Sequence, residues 1–209
     1  MSNKGVPIIV VTGGIASGKS MVAEMLSAQG AWVISADELA REIMKPGTLA
    51  WTEIVRTFGH SILTSDGEID RHRLGTLVFA DAKARNRLEE ITHPRIWALL
   101  LERIRSVHDE VPLVAVEIPL YFESGRSIPQ AEVWVVHVDE ATQIKRLMSR
   151  DGLTQDDAQA RLKAQLPLSV KRAWADRVID NTGSKEDTLA QVKAALSAAL
   201  GYFSEKEDL

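Results

Sequence analysis

Residues 8–20 read IIVVTGGIASGKS, and this stretch decides the fold. Residues 8–11 form a β-branched run without a polar side chain, which is typical of a strand buried on both faces of a parallel sheet. The run stops at Thr12 and two glycines, and a helix is predicted from there over about 18–29, with Gly30 as its stop. A buried strand, a glycine-rich turn and a helix therefore follow one another directly.

The turn itself, GGIASGKS at 13–20, matches the pattern G-x-x-x-x-G-K-[ST]. Glycines let successive backbone N–H groups point into one concavity, and the helix that follows directs its positive end at the same place. In this pattern Lys19 reaches the β- and γ-phosphates and Ser20 ligates Mg²⁺. The alternative is a glycine-rich turn that binds nothing. The sequence predicts a nucleoside triphosphate with Mg²⁺, held by Gly13, Gly14, Ala16, Ser17, Gly18, Lys19, Ser20 and Met21.

Outward from this loop, strands alternate with helices along the chain. Further strands are predicted at 31–35, 113–116, 133–138 and 177–179, with helical patterns between them. One long helical stretch, about 71–109, is predicted to break or restart at His93-Pro94, with His93 near a cap. The apolar side chains at helical spacing between 51 and 58 indicate the core of a small helical insertion rather than a binding face. The fold class is α/β with a parallel sheet, whose ligands bind at the carboxyl ends of the strands.

Composition excludes several classes of protein. The chain has 209 residues, a formal net charge of −4 and no cysteine. The absence of cysteine excludes disulfides, thiolate metal sites and cysteine nucleophiles. A nucleic-acid binder would be expected to carry a surplus of basic residues, which this chain lacks. No apolar run is long enough to span a membrane, and the N-terminal residues lack a signal-peptide pattern, which favours a cytoplasmic protein. No nucleic-acid or membrane partner is expected. A monomer is expected, with a homo-oligomer left open.

The loop alone does not separate kinases, GTPases and ATPases. The guanine motif Asn-Lys-x-Asp is absent, and the strand near 116 ends in Glu117-Ile118-Pro119 rather than in the Asp-Glu of motor ATPases. A small-molecule kinase needs a carboxylate that orients the acceptor hydroxyl and a cationic lid over the transferred phosphate. Asp37, after the second predicted strand, is the candidate carboxylate, with a helix N-cap as the alternative.

The candidate lid cations are Arg146 and Arg150. Their i, i+4 spacing puts both on one face of a helix, and arginine suits forked contacts with phosphate oxygens. The alternative is a solvated face on which Asp151 and its neighbours balance the charge. Thr154 and Asp157 form a capping-box pattern at the start of the next helix.

Eight segments of the chain are informative together: VTGGIASGKS (11–20), SADELAREI (35–43), PGT (46–48), DGEIDRHRL (66–74), ITHPRI (91–96), EIPLYFE (117–123), RLMSRDGLTQDDAQARLKAQ (146–165) and ADRVIDNTGS (175–184). In these segments, and in their order and spacing, the chain resembles the dephospho-coenzyme A kinase family over nearly its whole length. The resemblance implies a P-loop kinase with a three-layer α/β/α core over 1–37, 113–145 and 168–209. A helical substrate-binding insertion would occupy 38–112, and a small lid 146–167.

The resemblance also implies a reaction and roles for single residues. The γ-phosphate of ATP would pass to the ribose 3′-hydroxyl of 3′-dephospho-coenzyme A. Asp37 would act as base or orienter, and Arg146 and Arg150 as lid arginines. Three roles stay open between function and structure: substrate contact or cap for His93, a Mg²⁺-bound water or cap for Glu117, and the adenine end of ATP or a plain turn for Asn181. Thr12 is also placed with the substrate.

Three positions depart from the family pattern. Ala16 stands where glycine is usual, and its methyl group fits if the backbone there has a negative φ. Met21 replaces a threonine and leaves Ser20 intact, and Tyr121 stands where leucine is common. Two rivals remain: another small-molecule P-loop kinase, acting on a nucleoside or nucleotide, and a regulator that uses ATP only to change shape.

Overall fold

The computed structural model of the chain describes residues 6–107 and 111–207. Its strands are β1 (Ile8–Gly13), β2 (Trp32–Ser35), β3 (Val114–Glu117), β4 (Glu132–His137) and β5 (Arg177–Asp180). Each lies within one or two residues of a predicted strand, because each contains at least two β-branched residues within a short segment. Its α-helices are α1 (Lys19–Ser27), α2 (Ala36–Ile43), α3 (Leu49–Phe58), α4 (Arg71–Ala80), α5 (Ala82–Arg105), α6 (Glu140–Asp151), α7 (Gln155–Lys163), α8 (Leu168–Ala173) and α9 (Lys185–Glu207).

The strands form one sheet in the order β2-β3-β1-β4-β5. The pairings of β1 with β3, β1 with β4 and β4 with β5 are parallel. Side chains of α1 and α9 cover one face of this sheet, packing on residues such as Trp134. The alternate strand positions, among them Val10, Val116 and Val135, are as deeply buried. The sheet is therefore covered on both faces, which confirms the predicted α/β class. Because β1 lies at its centre, the loop that follows β1 starts at the middle of the sheet's carboxyl edge.

The described residues divide into two compact units. The first comprises 6–34, 107 and 111–207 and contains the sheet with α1 and α6–α9. The second, 35–106, begins at the last residue of β2 and contains α2–α5, a 3₁₀ turn at His60–Ile62 and an antiparallel bridge between Leu63 and Ile69. Its core is a cluster around Ile54, against which Trp51 and Phe58 pack, as the helical spacing predicted. The Trp51 indole also donates a hydrogen bond to the Gly67 carbonyl (3.0 Å).

The predicted break at His93-Pro94 is wrong. Helix α5 runs through Pro94 without interruption, and His93 is an exposed interior position rather than a cap. The chain breaks instead at Asp81, whose carboxylate accepts from the Lys83 N–H and begins α5. Proline removes one helical hydrogen bond, but buried side chains on both sides of Pro94 hold the helix together, and the Arg95 guanidinium donates to the Ile91 carbonyl (2.5 Å). The predicted end at Asp109 lies outside the described residues.

Across the residues that the structure describes, no helix combines the length and apolar content needed to cross a membrane.

Candidate active site

The loop at 13–20, called here the phosphate loop, joins β1 to α1, and two of its glycines are required by close packing. Gly13 has φ +153°, and a Cβ there would lie 2.5 Å from the Val136 carbonyl oxygen. Gly18 has φ +97°, and a Cβ there would lie 2.1 Å from the Asn181 amide nitrogen. Neither position admits a side chain, so the glycines of the sequence pattern match the tertiary packing as well as the loop's own conformation.

Ala16 is left-handed, with φ +57°. The condition of a negative φ, under which its methyl group would fit without strain, is therefore not met. The surrounding contacts impose the loop shape on alanine at a cost on the order of 1 kcal/mol. The glycine usual in the resembling sequences would adopt this φ without that cost.

Lys19 and Ser20 lie at the start of α1. The Lys19 ammonium donates to the Gly14 carbonyl (2.9 Å), and the Ser20 hydroxyl donates to the Glu117 carboxylate at the end of β3 (2.8 Å). Glu117 is buried. A hydroxyl beside a carboxylate is an oxygen-only donor set, and Mg²⁺ takes few protein ligands because phosphate oxygens and waters complete its shell. The residues present therefore fit that ion.

Arg146 of α6 and Asn181, which follows β5, contact the loop although both lie far from it in the sequence. The Arg146 guanidinium donates to the carbonyls of Ala16 (3.3 Å), Ser17 (3.4 Å) and Asn181 (3.2 Å). The buried Asn181 amide donates to the Ser17 carbonyl (2.7 Å), and its oxygen accepts from Thr188 (3.1 Å). Asn181 thus contacts the loop through its side chain.

Arg150 lies one turn further along α6 and is exposed. It forms a forked pair with the Asp151 carboxylate (2.7 and 3.0 Å), which Arg161 also contacts (3.0 Å). The hydrogen bond from Arg150 lowers the pKa of Asp151, with smaller contributions of the same sign from the charges of Arg150 and Arg161. The same bond raises the pKa of Arg150. Two cations therefore share one carboxylate at the junction of α6 and α7.

The remaining predicted site residues are placed as follows. Thr12 is buried, and its hydroxyl donates to the Pro119 carbonyl (3.3 Å). The Met21 side chain packs against the core of the first unit. Asp37 lies in the first turn of α2, in the second unit, and is exposed; Ser35 rather than Asp37 holds the N-cap position. The carboxylate of Asp37 is thus not consumed by capping.

Sequence reasoning missed three side chains that contact the loop. Gln143 of α6 donates to the Ile15 carbonyl (2.6 Å), and Gln165 accepts from the Ile15 N–H (3.0 Å). Lys171 of α8 is fully buried, and its ammonium lies 2.6 Å from the Glu123 carboxylate and 3.4 Å from the Gly13 carbonyl. Each is separated from the loop by more than 120 positions, so no local pattern points to it.

A central strand that runs into a phosphate loop, with a lysine and a hydroxyl opening the next helix and Arg146 of α6 contacting the loop, defines the class of P-loop kinases. Within that class, a family model described as dephospho-CoA kinase matches residues 7–187. The chain belongs to this family.

Individual relatives agree with the family model. A dephospho-CoA kinase from Shouchella clausii (strain KSM-K16) is 46% identical over 190 residues, covering 90% of this chain and 96% of the relative. A solved structure described as TT1252 from Thermus thermophilus superimposes with a TM-score of 0.78 at 36% identity, covering 92% of this chain and 97% of that one. A dephospho-CoA kinase from Campylobacter jejuni gives a TM-score of 0.69 at 35% identity, covering 91% and 95%.

Proposed function

We propose that this chain is a dephospho-CoA kinase that transfers the γ-phosphate of ATP to the ribose 3′-hydroxyl of 3′-dephospho-CoA. The products are ADP and CoA, which makes this the last step of CoA synthesis. The observation that carries the proposal is the phosphate loop, complete with Lys19 and the Ser20–Glu117 pair, in a chain that belongs to the dephospho-CoA kinase family.

The phosphate loop binds the β- and γ-phosphates of ATP through its N–H groups and the Lys19 ammonium. The hydrogen bond from Lys19 to the Gly14 carbonyl keeps the ammonium at the loop, from where it transfers to phosphate oxygens. Phosphoryl transfer depends mainly on positioning and charge neutralisation, and preorganised donors supply both.

Ser20 and Glu117 would hold Mg²⁺, Ser20 through its hydroxyl and Glu117 through a bound water. When bound, the ion neutralises charge on the β- and γ-phosphates. The buried Glu117 carboxylate orients the Ser20 hydroxyl, which supports this assignment.

Asp37 is the residue proposed to orient the 3′-hydroxyl and accept its proton. Its carboxylate is exposed and caps no helix, so both oxygens stay available to an acceptor. Arg146 and Arg150 are proposed to neutralise phosphate charge and exclude water from the site. Arg146 already lies against the loop, whereas Arg150 would exchange the Asp151 carboxylate for phosphate oxygens.

The second unit is proposed to bind the acceptor, and the substrate-binding insertion is proposed to span 38–112. The proposed lid, 146–167, belongs to the first unit. A cavity of about 370 Å³ within the second unit supports acceptor binding there, because its lining combines three cations, Arg41, Lys45 and Arg71, and one carboxylate, Glu68, with apolar side chains such as Leu74. Such a lining suits an anionic molecule with an apolar arm. The exposed His93 remains a proposed acceptor contact. A cytoplasmic location and a monomer are proposed, with a homo-oligomer as the alternative that sedimentation would reveal.

The test is ADP release from ATP and Mg²⁺ with dephospho-CoA, and with adenosine or AMP as control acceptors. Release that requires dephospho-CoA, with CoA as product, supports the proposal. Release with a control acceptor favours another small-molecule kinase, and ATP binding without acceptor-dependent release favours a nucleotide-dependent regulator.

The role of Asp37 has its own test. Asp37→Asn should lower kcat by at least about a hundredfold while ATP affinity stays near the wild-type value. Asp66→Asn, an exposed aspartate in a turn of the same unit, is the matched control. An unchanged kcat in Asp37→Asn would remove this residue from the chemistry.

A further inference from the structure

Each backbone carbonyl of residues 13–17 accepts a hydrogen bond from a side chain. The donors are Lys171 to Gly13 (3.4 Å), Lys19 to Gly14 (2.9 Å), Gln143 to Ile15 (2.6 Å), Arg146 to Ala16 (3.3 Å) and Asn181 to Ser17 (2.7 Å). Lys19 comes from the loop itself. The other four belong to α6, α8 and the segment after β5, and are called here the carbonyl clamp.

The clamp has a consequence for phosphate binding. A phosphate loop works when its N–H groups converge on one point, which requires the carbonyl oxygens to point away from that point. Free carbonyls of a glycine-rich loop would be drawn toward water or cations in several orientations. Side-chain donors that hold them outward fix the orientation of the N–H groups before any ligand arrives, and preorganisation of this kind strengthens binding.

Gln143 and Gln165 hold the main chain of Ile15 from two sides. Gln143 is buried on α6 and donates to the Ile15 carbonyl, while Gln165 follows α7 and accepts from the Ile15 N–H. The fit is tight, because a Cβ at Gly14 would lie 2.4 Å from the Gln143 amide nitrogen. Two neutral amides thus set the position of the loop's tip.

Lys171 holds the loop's first carbonyl from a buried position. Its ammonium has no solvent exposure and is neutralised by Glu123, which also accepts from the Leu166 N–H (3.1 Å). A buried ion pair contributes little to stability compared with apolar side chains of similar volume. Packing of α8 alone would therefore be served as well by a methionine. Unlike a methionine side chain, the Lys171 ammonium donates a hydrogen bond to the Gly13 carbonyl.

We propose that Gln143 and Lys171 are positioning residues that hold the phosphate loop in its ATP-binding conformation, acting only through the loop backbone. The proposal rests on ATP being the ligand of the loop, as proposed above. Both residues then affect ATP affinity while leaving the acceptor and the phosphoryl-transfer step nearly unchanged.

The experiment measures the Kd of ATP by calorimetry without acceptor, together with kcat and KM for both substrates. Gln143→Met removes the donor and keeps the side-chain length; Gln155→Met, at an exposed position of α7, is the matched control. For Lys171 the informative variant is the double replacement Lys171→Met with Glu123→Gln. It removes the donor without leaving a buried carboxylate unpaired, and the side-chain amide oxygen at position 123 can still accept from the Leu166 N–H. Lys171→Met alone separates the effect of that unpaired charge.

We expect Gln143→Met and the double variant to weaken ATP binding about tenfold, which corresponds to one lost hydrogen bond of this kind. The KM for ATP should rise in parallel, with kcat at saturating ATP and the acceptor KM changed less than about threefold. Lys171→Arg, which keeps a cation beside Glu123, should retain part of the affinity that the double variant loses.

The opposite result is equally clear. If the double variant and Gln143→Met fold with wild-type unfolding midpoints and bind ATP as tightly as Gln155→Met, the clamp does not set the loop conformation for ATP and the proposal is wrong. If either variant fails to fold, Gln165→Met gives the same readout on the other side of Ile15. Should the wild type bind ATP but release no ADP with dephospho-CoA, the proposed function fails while the clamp is still tested by the ATP Kd.

Discussion

Replacing Asn181 with alanine tests whether tertiary contacts hold the phosphate loop. Asn181 is buried, donates to the Ser17 carbonyl (2.7 Å) and accepts from the Thr188 hydroxyl (3.1 Å). Two buried hydrogen bonds at about 1 kcal/mol each predict a loss of about 2 kcal/mol in the free energy of unfolding. For a chain of this length that loss corresponds to a decrease in Tm of about 4–8 °C.

The assay is urea unfolding followed by circular dichroism, with ATP affinity measured by calorimetry on the same samples. Because the Ser17 carbonyl belongs to the phosphate loop and would keep only the longer of its two side-chain contacts, the one from Arg146 (3.4 Å), ATP binding should weaken by about tenfold. The control is Asn86→Ala, an exposed asparagine on α5, where alanine is a better helix former and stability should change by less than about 0.5 kcal/mol.

A loss below about 0.5 kcal/mol in Asn181→Ala, indistinguishable from Asn86→Ala, would refute the reasoning. It would mean that the loop keeps its shape without the Asn181 amide. If the free energy of unfolding falls as predicted but ATP affinity is unchanged, only the predicted effect on ATP binding is refuted. The Asn181 amide would then stabilise the fold without orienting the loop.

Three further predictions test other parts of the chain. Ala16→Gly should raise the free energy of unfolding by up to about 1 kcal/mol, because glycine adopts φ +57° freely; a lower urea midpoint would contradict this. Burial, followed by the charge of Arg172, lowers the pKa of His137 against the opposing effects of Asp180 and Asp139. Below about pH 6.5 the unfolded state therefore binds more protons than the folded state. The free energy of unfolding should fall as the pH drops through that value. His137→Gln should flatten this slope in urea unfolding between about pH 7 and 5, whereas the exposed His72→Gln should keep it. Ile54→Ala should destabilise the second unit by about 2–5 kcal/mol, since Ile54 is fully buried in its core, and an effect as small as that of the exposed Thr52→Ala would show that this core is not needed.

Local sequence was sufficient for several features because their causes lie within a few neighbouring residues. Five β-branched runs predicted the five strands, and the run into GGIASGKS predicted both the phosphate loop and the helix after it. The helix cap predicted at Thr154 is confirmed, since its hydroxyl accepts from the Asp157 N–H (3.2 Å). Order and spacing of the longer motifs indicated the dephospho-CoA kinase family.

Other features depended on packing between distant segments. Pro94 stays within a helix because buried neighbours outweigh its missing N–H, although the local preference is a break. Ala16 has a left-handed φ that alanine disfavours, so the surrounding contacts impose this conformation on it. Local preferences are worth about 1 kcal/mol for most residues and about 3 kcal/mol for a proline inside a helix, and tertiary packing overrides them when it supplies more.

The sequence by itself determined that this chain carries a phosphate loop on an α/β sheet, because a strand, glycines and a helix start within 13 consecutive residues need no distant partner. The tertiary structure alone decided what surrounds the loop. Gln143, Gln165 and Lys171 reach it from 128, 150 and 158 positions away, and hydrogen bonds of that separation form only once the sheet has brought α6 and α8 to the carboxyl end of β1.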